Sequence, residues 1–223
     1  MFQLLLAFLG FILFNNIVQS QTIDGYGIKS GISSAWQTET IGNDNIEGIK
    51  NVVGFNFGVY AKWFDTKFFY LNTEINFTQK GKKTDILISN SEQPNGTGEY
   101  IKEKLQLNYF SILLLPSIYK EIGNIKLYAI SGPRMDIFLS KNVEVTGPEP
   151  LSSINKNYTN EMIEKYSKVG LGVTLGIGFQ INKVLPVQLG LEARYNPDLT
   201  KTYDNGFYSI KNNSLEFLVT LQK

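Results

Sequence analysis

From Gly25 onward, apolar and polar residues alternate along most of the chain. In 52–63, Val53, Phe55, Phe57, Val59, Ala61 and Trp63 share one face, while Gly54, Asn56, Gly58, Tyr60 and Lys62 share the other. A period of two marks a half-buried strand, and no segment sustains the 3.6-residue period of a helix for long. The same alternation recurs in 26–36, 68–80, 168–181, 187–195 and 214–222. Two further segments read as strands with less contrast. Residues 101–118 carry Leu or Ile on both faces, and Pro133 interrupts 125–139, as expected at a bulge or an exposed strand position. The pattern therefore predicts eight strands, each at least as long as the roughly 9–11 residues that cross a bilayer at a tilt.

Within the six clean strands the charges fall on one side. Lys29, Lys62, Glu74, Lys80, Lys168, Glu192, Arg194 and Glu216 all lie on the polar face, and none lies on the apolar one. That polar face is rich in Gly, Asn and Thr, which suits a crowded lumen, whereas the bulky apolar face suits lipid. Tight joints near Asp65-Thr66, Gly123-Asn124 and Asn182-Lys183 alternate with long polar connections at about 37–51, 81–100, 140–166 and 197–212. Short turns alternating with long loops, with both termini at the short-turn end, are expected of an outer-membrane barrel with periplasmic termini. Aromatic residues gather at the predicted strand ends: Trp36 and Tyr195 at the outer rim, and Tyr26, Trp63 and Phe69 at the inner one. The fold expected is all-β, an eight-stranded antiparallel up-and-down transmembrane β-barrel.

Residues Leu4 to Phe14 form an unbroken apolar run, too short to span a bilayer as a helix, and Val18 and Ser20 suit a small-residue cleavage site. Residues 1–20 are thus expected to be a cleaved signal peptide and 21–223 the barrel domain. Composition then narrows the chemistry. Twenty-one Lys and Arg face 20 Asp and Glu, a net charge of +1, which lacks the cationic excess a nucleic-acid binder needs. The chain has no Cys and no His. This removes disulfides, thiol catalysis, the usual general base and the commonest zinc ligand. No enzyme activity, cofactor or metal is expected.

The remaining constellation is the set of lumenal charges. Lys29, Glu74, Arg134, Asp136, Glu192, Arg194 and Glu216 would project into one narrow space. An eight-stranded barrel is filled by its own side chains, so these groups are expected to pair as a structural polar core that fixes register and plugs the barrel. The alternative is that they line a pore. The run GLGVTLGIG at 170–178 has the wrong spacing for a dinucleotide fingerprint and places its glycines on one strand face.

The chain resembles the bacterial porin-like outer-membrane β-barrel family of small eight-stranded barrels, from about Gly25 onward. The segments carrying the resemblance are YGIKSGISSA at 26–35, LNTEINFTQKG at 71–81, LNYFSILLLP at 107–116, YAISGP at 128–133 and LGLEARYNPDLT at 189–200. Gly27-Lys29-Gly31, Glu74 with Lys80-Gly81, and Leu191-Glu192-Arg194-Tyr195 fill family positions. The fourth strand departs from the family's Tyr-x-Glu-x-Pro, with Ser111 and Leu113 following Tyr109, and the chain closes on Leu221-Gln222-Lys223 rather than an aromatic residue. The resemblance implies an integral outer-membrane protein with a structural or interaction role in the cell envelope, such as an accessory of a secretion or surface system. Its implied partners are outer-membrane lipid and lipopolysaccharide, the barrel-assembly machinery, and envelope proteins met through the extracellular loops. A narrow gated channel, a lipid-modifying enzyme using carboxylates, and a secreted soluble lipocalin-like barrel with its apolar face inward are the competing readings.

Overall fold

The computed structural model describes residues 23–42, 44–46, 48–88, 98–181 and 187–223. The expected signal peptide and the joint at Asn182-Lys183 lie outside these. Eight long strands carry the fold: β1 (Gly25–Ile41), β2 (Val52–Trp63), β3 (Phe69–Leu87), β4 (Tyr100–Ile122), β5 (Ile125–Thr146), β6 (Val169–Ile181), β7 (Gln188–Pro197) and β8 (Tyr208–Gln222). Each pairs antiparallel with the next, and β8 returns to pair with β1 from Gly27↔Gln222 to Ile41↔Tyr208. The sheet is closed, so no long strand is left with an open edge. One joint is the two-residue turn Gly123-Asn124, where Gly123 takes φ +60°, a conformation glycine adopts without steric cost.

The alternation read from sequence sets which way each side chain points. Ile28, Ile32, Phe55, Phe57, Val59, Leu175, Ile177, Leu191 and Phe217 are exposed on the outer wall, whereas Lys29, Glu74, Arg194 and Glu216 are buried inside. A soluble lipocalin-type barrel would reverse this, so that reading is excluded. Trp36 and Tyr195 stack on the outer wall with ring centroids 6.3 Å apart. Trp63, at the opposite end, donates its indole N–H to Thr73 Oγ1 at 2.9 Å.

Several strands run further than the sequence pattern predicts, because their polarity inverts partway along. On β4, Phe110, Ile112, Leu114 and Ile118 face outward, with Ser111 and Ser117 buried inside. Past Tyr109 the order reverses: Ile101, Leu105 and Leu107 are buried inside, while Lys102, Lys104, Gln106 and Asn108 face out. β5 reverses at the bulge where Asn108 pairs with Ser140 and Tyr109 with Phe138, so Val143 turns inward and Glu144 outward. The inversion fits an outer wall that faces lipid below this level and water above it. The chain exchanges its apolar face at that boundary. Apolar residues on both faces of 101–118 are the trace of this switch, and the segments expected as loops within 81–100 and 140–166 are in part strand.

Pro133 stands opposite Val173 in the β5–β6 ladder, while the β4–β5 ladder is interrupted between Leu113↔Arg134 and Ser117↔Ile130. A residue without an N–H thus sits where pairing with β4 is already broken. Gly31 on β1 serves a different need, because a Cβ there would lie 1.9 Å from the Phe217 carbonyl oxygen. Gly31→Ala is expected to force β1 and β8 apart and to lower stability by about 1–3 kcal/mol, measured by urea unfolding in detergent micelles. A stability equal to that of the unsubstituted chain would contradict this closeness.

Candidate functional site: the polar interior and the capped mouth

The inward positions of the eight strands stack into layers along the barrel axis. In the central layer, Arg194 on β7 donates from Nη1 to Glu74 Oε2 and from Nη2 to Glu74 Oε1, both at 2.8 Å, a bidentate pair. Lys29 on β1 donates to Glu74 at 2.5 Å and to Glu192 at 3.5 Å, and Arg194 also bonds Glu192. The Tyr128 hydroxyl donates to Glu192 at 3.0 Å, and the Lys29 ammonium lies 4.7 Å from the Tyr60 ring centroid. Two cations and two carboxylates cancel within the layer, and each is at most 4% exposed.

The next layer toward the long loops repeats this logic. Lys80 on β3 donates to Asp136 at 2.6 Å and to Asp198 at 3.0 Å. Arg134 donates from Nε to Asp136 at 2.9 Å and from Nη2 to Asp198, and the Ser111 hydroxyl donates to Asp136 at 2.6 Å. Again two cations meet two carboxylates. Taking an ion out of water costs several kcal/mol, so only such mutual pairing with extra hydrogen bonds makes these layers tolerable. Gly172 leaves room for the second layer, since a Cβ there would lie 2.5 Å from Arg134 Nη2.

All seven residues singled out from sequence, Lys29, Glu74, Arg134, Asp136, Glu192, Arg194 and Glu216, are inside the barrel. They divide into two layers rather than one cluster. Glu216 stands apart: it is 4% exposed, between Ser33 and Arg194 in the ladders, and takes part in none of these ion pairs. Asp198 falls in a segment that reads as loop, and only its approach to Lys80 and Arg134 reveals its part.

Toward the termini an aromatic layer follows. Tyr70, Leu113, Leu115, Tyr128 and Ile130 pack together inside, with Leu113 at the position where the family pattern has Pro. The Lys126 ammonium lies 3.9 Å from the Tyr119 ring centroid, and Lys62 lies 4.8 Å from that of Tyr70. Between this layer and the central one the described residues leave a cavity of about 10 Å³, near the lower limit for one water.

The opposite mouth is closed by a feature the sequence pattern conceals. Helix α1 (Leu151–Glu164) lies within the connection expected as a loop at 140–166. Its buried residues are Ser152, Thr159 and Ile163, spaced as one helical face but mostly polar, so no hydrophobic period betrays it. Ile163 and Tyr166 insert against Leu105, Leu107, Tyr109, Val143 and Ile210. The Thr159 hydroxyl donates to Glu103 at 2.7 Å, and Lys141 donates to the Asn160 carbonyl at 2.8 Å. Beneath the helix, Lys82 donates to Glu39 at 2.5 Å and lies 4.0 Å from Glu103, while the Tyr208 hydroxyl bonds Glu39. Burial, then the hydrogen bond to Glu39, holds the Tyr208 phenol above its ordinary range. Ile163→Asp is expected to release α1 from the mouth. Amides of 151–164 should then lose hydrogen-exchange protection while the barrel strands keep theirs, and full retention in the helix would refute the packing described.

A closed eight-stranded sheet with an apolar outer wall, rim aromatics and a charge-paired interior defines an integral outer-membrane β-barrel. The outer membrane protein beta-barrel domain model matches residues 19–204, and the chain belongs to that family. No curated protein sequence matches it. Among solved structures, it is similar to Neisserial surface protein A, at 13% identity over 91% of this chain and 98% of that one, with a TM-score of 0.43. It is also similar to OprG from Pseudomonas aeruginosa, at 10% identity over 92% and 97%, TM-score 0.44. A third is Ail, the attachment invasion locus protein of Yersinia pestis, solved with the heparin analogue sucrose octasulfate, at 13% identity over 88% and 97%, TM-score 0.36.

Proposed function

We propose that this chain is a non-enzymatic, non-conducting barrel that anchors an interaction surface in the cell envelope, with its loops and α1 outside the cell and its termini in the periplasm. The observation that carries this reading is the filled interior. Two neutral ionic layers, an aromatic layer and the seated helix occupy the lumen in series, and the lumenal carboxylates are mostly committed to Lys and Arg partners. Carboxylates held this way serve poorly as general acids or bases, which need reach to a substrate proton. The seven lumenal residues accordingly act as a structural plug. Planar-bilayer recording of the pure protein tests this, with no unit conductance expected; a stable conducting level at neutral pH would overturn it in favour of a channel.

Lipopolysaccharide and phospholipid surround the outer wall in this reading. The assembly machinery delivers the chain, and envelope proteins meet it at the long loops, as in an accessory of a secretion or surface system. In this reading residues 1–20 are cleaved as an export signal, and intact mass of the mature protein should place the first residue near Gln21. An uncleaved leader would overturn that step.

A further inference from the structure

Beside α1, above the membrane band, lies a cleft of about 500 Å³ walled by the helix, the upper ends of β3 and β4, and the chain around Tyr203–Tyr208. Its volume falls within the range of roughly 300–1,000 Å³ usual for small-molecule sites. We propose that this cleft binds a neutral saccharide. The inference deepens the surface-interaction reading and rests on it only for the outward placement of this end.

Charge argues for neutrality. The acids deepest in the cleft are already satisfied: Glu39 by Lys82 and Tyr208, Glu103 by Thr159 and Lys82. At the rim, Glu161 and Lys165 stand four residues apart on the chain and oppose each other in sign. An ionic ligand would have to compete with these pairs among the described residues, and displacing one of the buried groups would strand its neighbour. A neutral ligand disturbs none of these bonds.

The remaining lining argues for a sugar. Tyr158 projects from α1 with 66% of its surface exposed, and the Tyr203 and Tyr208 rings lie 5.8 Å apart across the cleft's lining. Such rings offer a flat apolar face beside a hydroxyl, matching a pyranose with its C–H face and equatorial hydroxyls. Two lining atoms, Thr84 Oγ1 and Asn155 Oδ1, are buried with no hydrogen-bond partner among the described residues. A buried acceptor left unmatched costs about 1–3 kcal/mol. A polyhydroxylated ligand that draws these two side chains toward the cleft would give them hydroxyl partners, whereas a purely apolar one would not.

The test uses the full mature chain in lipid nanodiscs on an array of neutral di- to tetrasaccharides beside sulfated ones. Retention of one or more neutral saccharides is expected. For the strongest binder, Tyr158→Ala should weaken binding about tenfold, and Tyr158→Phe should keep it within about twofold. Tyr158 is exposed on the helix, so both variants should retain heat-modifiable mobility, which confirms an intact barrel. Retention of no neutral saccharide, retention of sulfated glycans alone, or unchanged binding by Tyr158→Ala would overturn the proposal. Bilayer silence measured on the same preparation reports on the plugged-barrel reading separately.

Discussion

Glu74→Ala is expected to destabilise the barrel by about 3–5 kcal/mol, the range for removing one partner of a buried ion pair. Glu74 receives both Arg194 donors and the Lys29 ammonium, so its loss leaves two buried cations to share Glu192 alone. Unfolding in urea, followed by the gel shift between folded and heat-denatured forms, measures the effect. A control separates the pairing from the charge itself. Replacing all four members of the layer, Lys29, Glu74, Glu192 and Arg194, by apolar residues of similar volume removes the desolvation cost along with the pairing. That variant should recover most of the stability lost by Glu74→Ala. If Glu74→Ala costs less than about 1 kcal/mol, the central layer does not hold the barrel together.

The outer wall and the lumenal charges were legible in the sequence because a lipid-facing strand obeys one rule, with apolar residues out and charges in. Where the rule changes, the reading fails for a physical reason. On β4 the residues 101–108 obey the inverse rule of a water-facing strand, and their merger with 110–118 blurs both patterns. Helix α1 was missed because Ser152 and Thr159 on its buried face make hydrogen bonds and polar contacts rather than apolar ones, while Leu151, Ile154 and Tyr158 lie exposed. Periodicity detects a helix only when burial and hydrophobicity coincide. Asp198 fell in a segment that reads as loop, since nothing local distinguishes it from a surface carboxylate. Its partner Lys80 lies 118 residues away.

Leu175→Arg should impair membrane insertion, with a cost of up to about 2–4 kcal/mol for a cation inside the apolar band. Leu175 occupies the middle of β6, faces outward between Ser131 and Tyr195 in the ladders, and is 48% exposed on the lipid side. Leu189→Arg provides the depth control. It lies at the terminal end of β7, paired with Ile181 and Leu221, where the long side chain can reach the headgroups. Its cost should fall to about 0–1 kcal/mol. The measurement is the fraction of protein folding into lipid vesicles, read from heat-modifiable mobility. Equal defects at both positions would mean that the apolar band does not track bilayer depth as the strand pattern requires. A graded pair of defects would show that the cost of a cation follows depth along the apolar band.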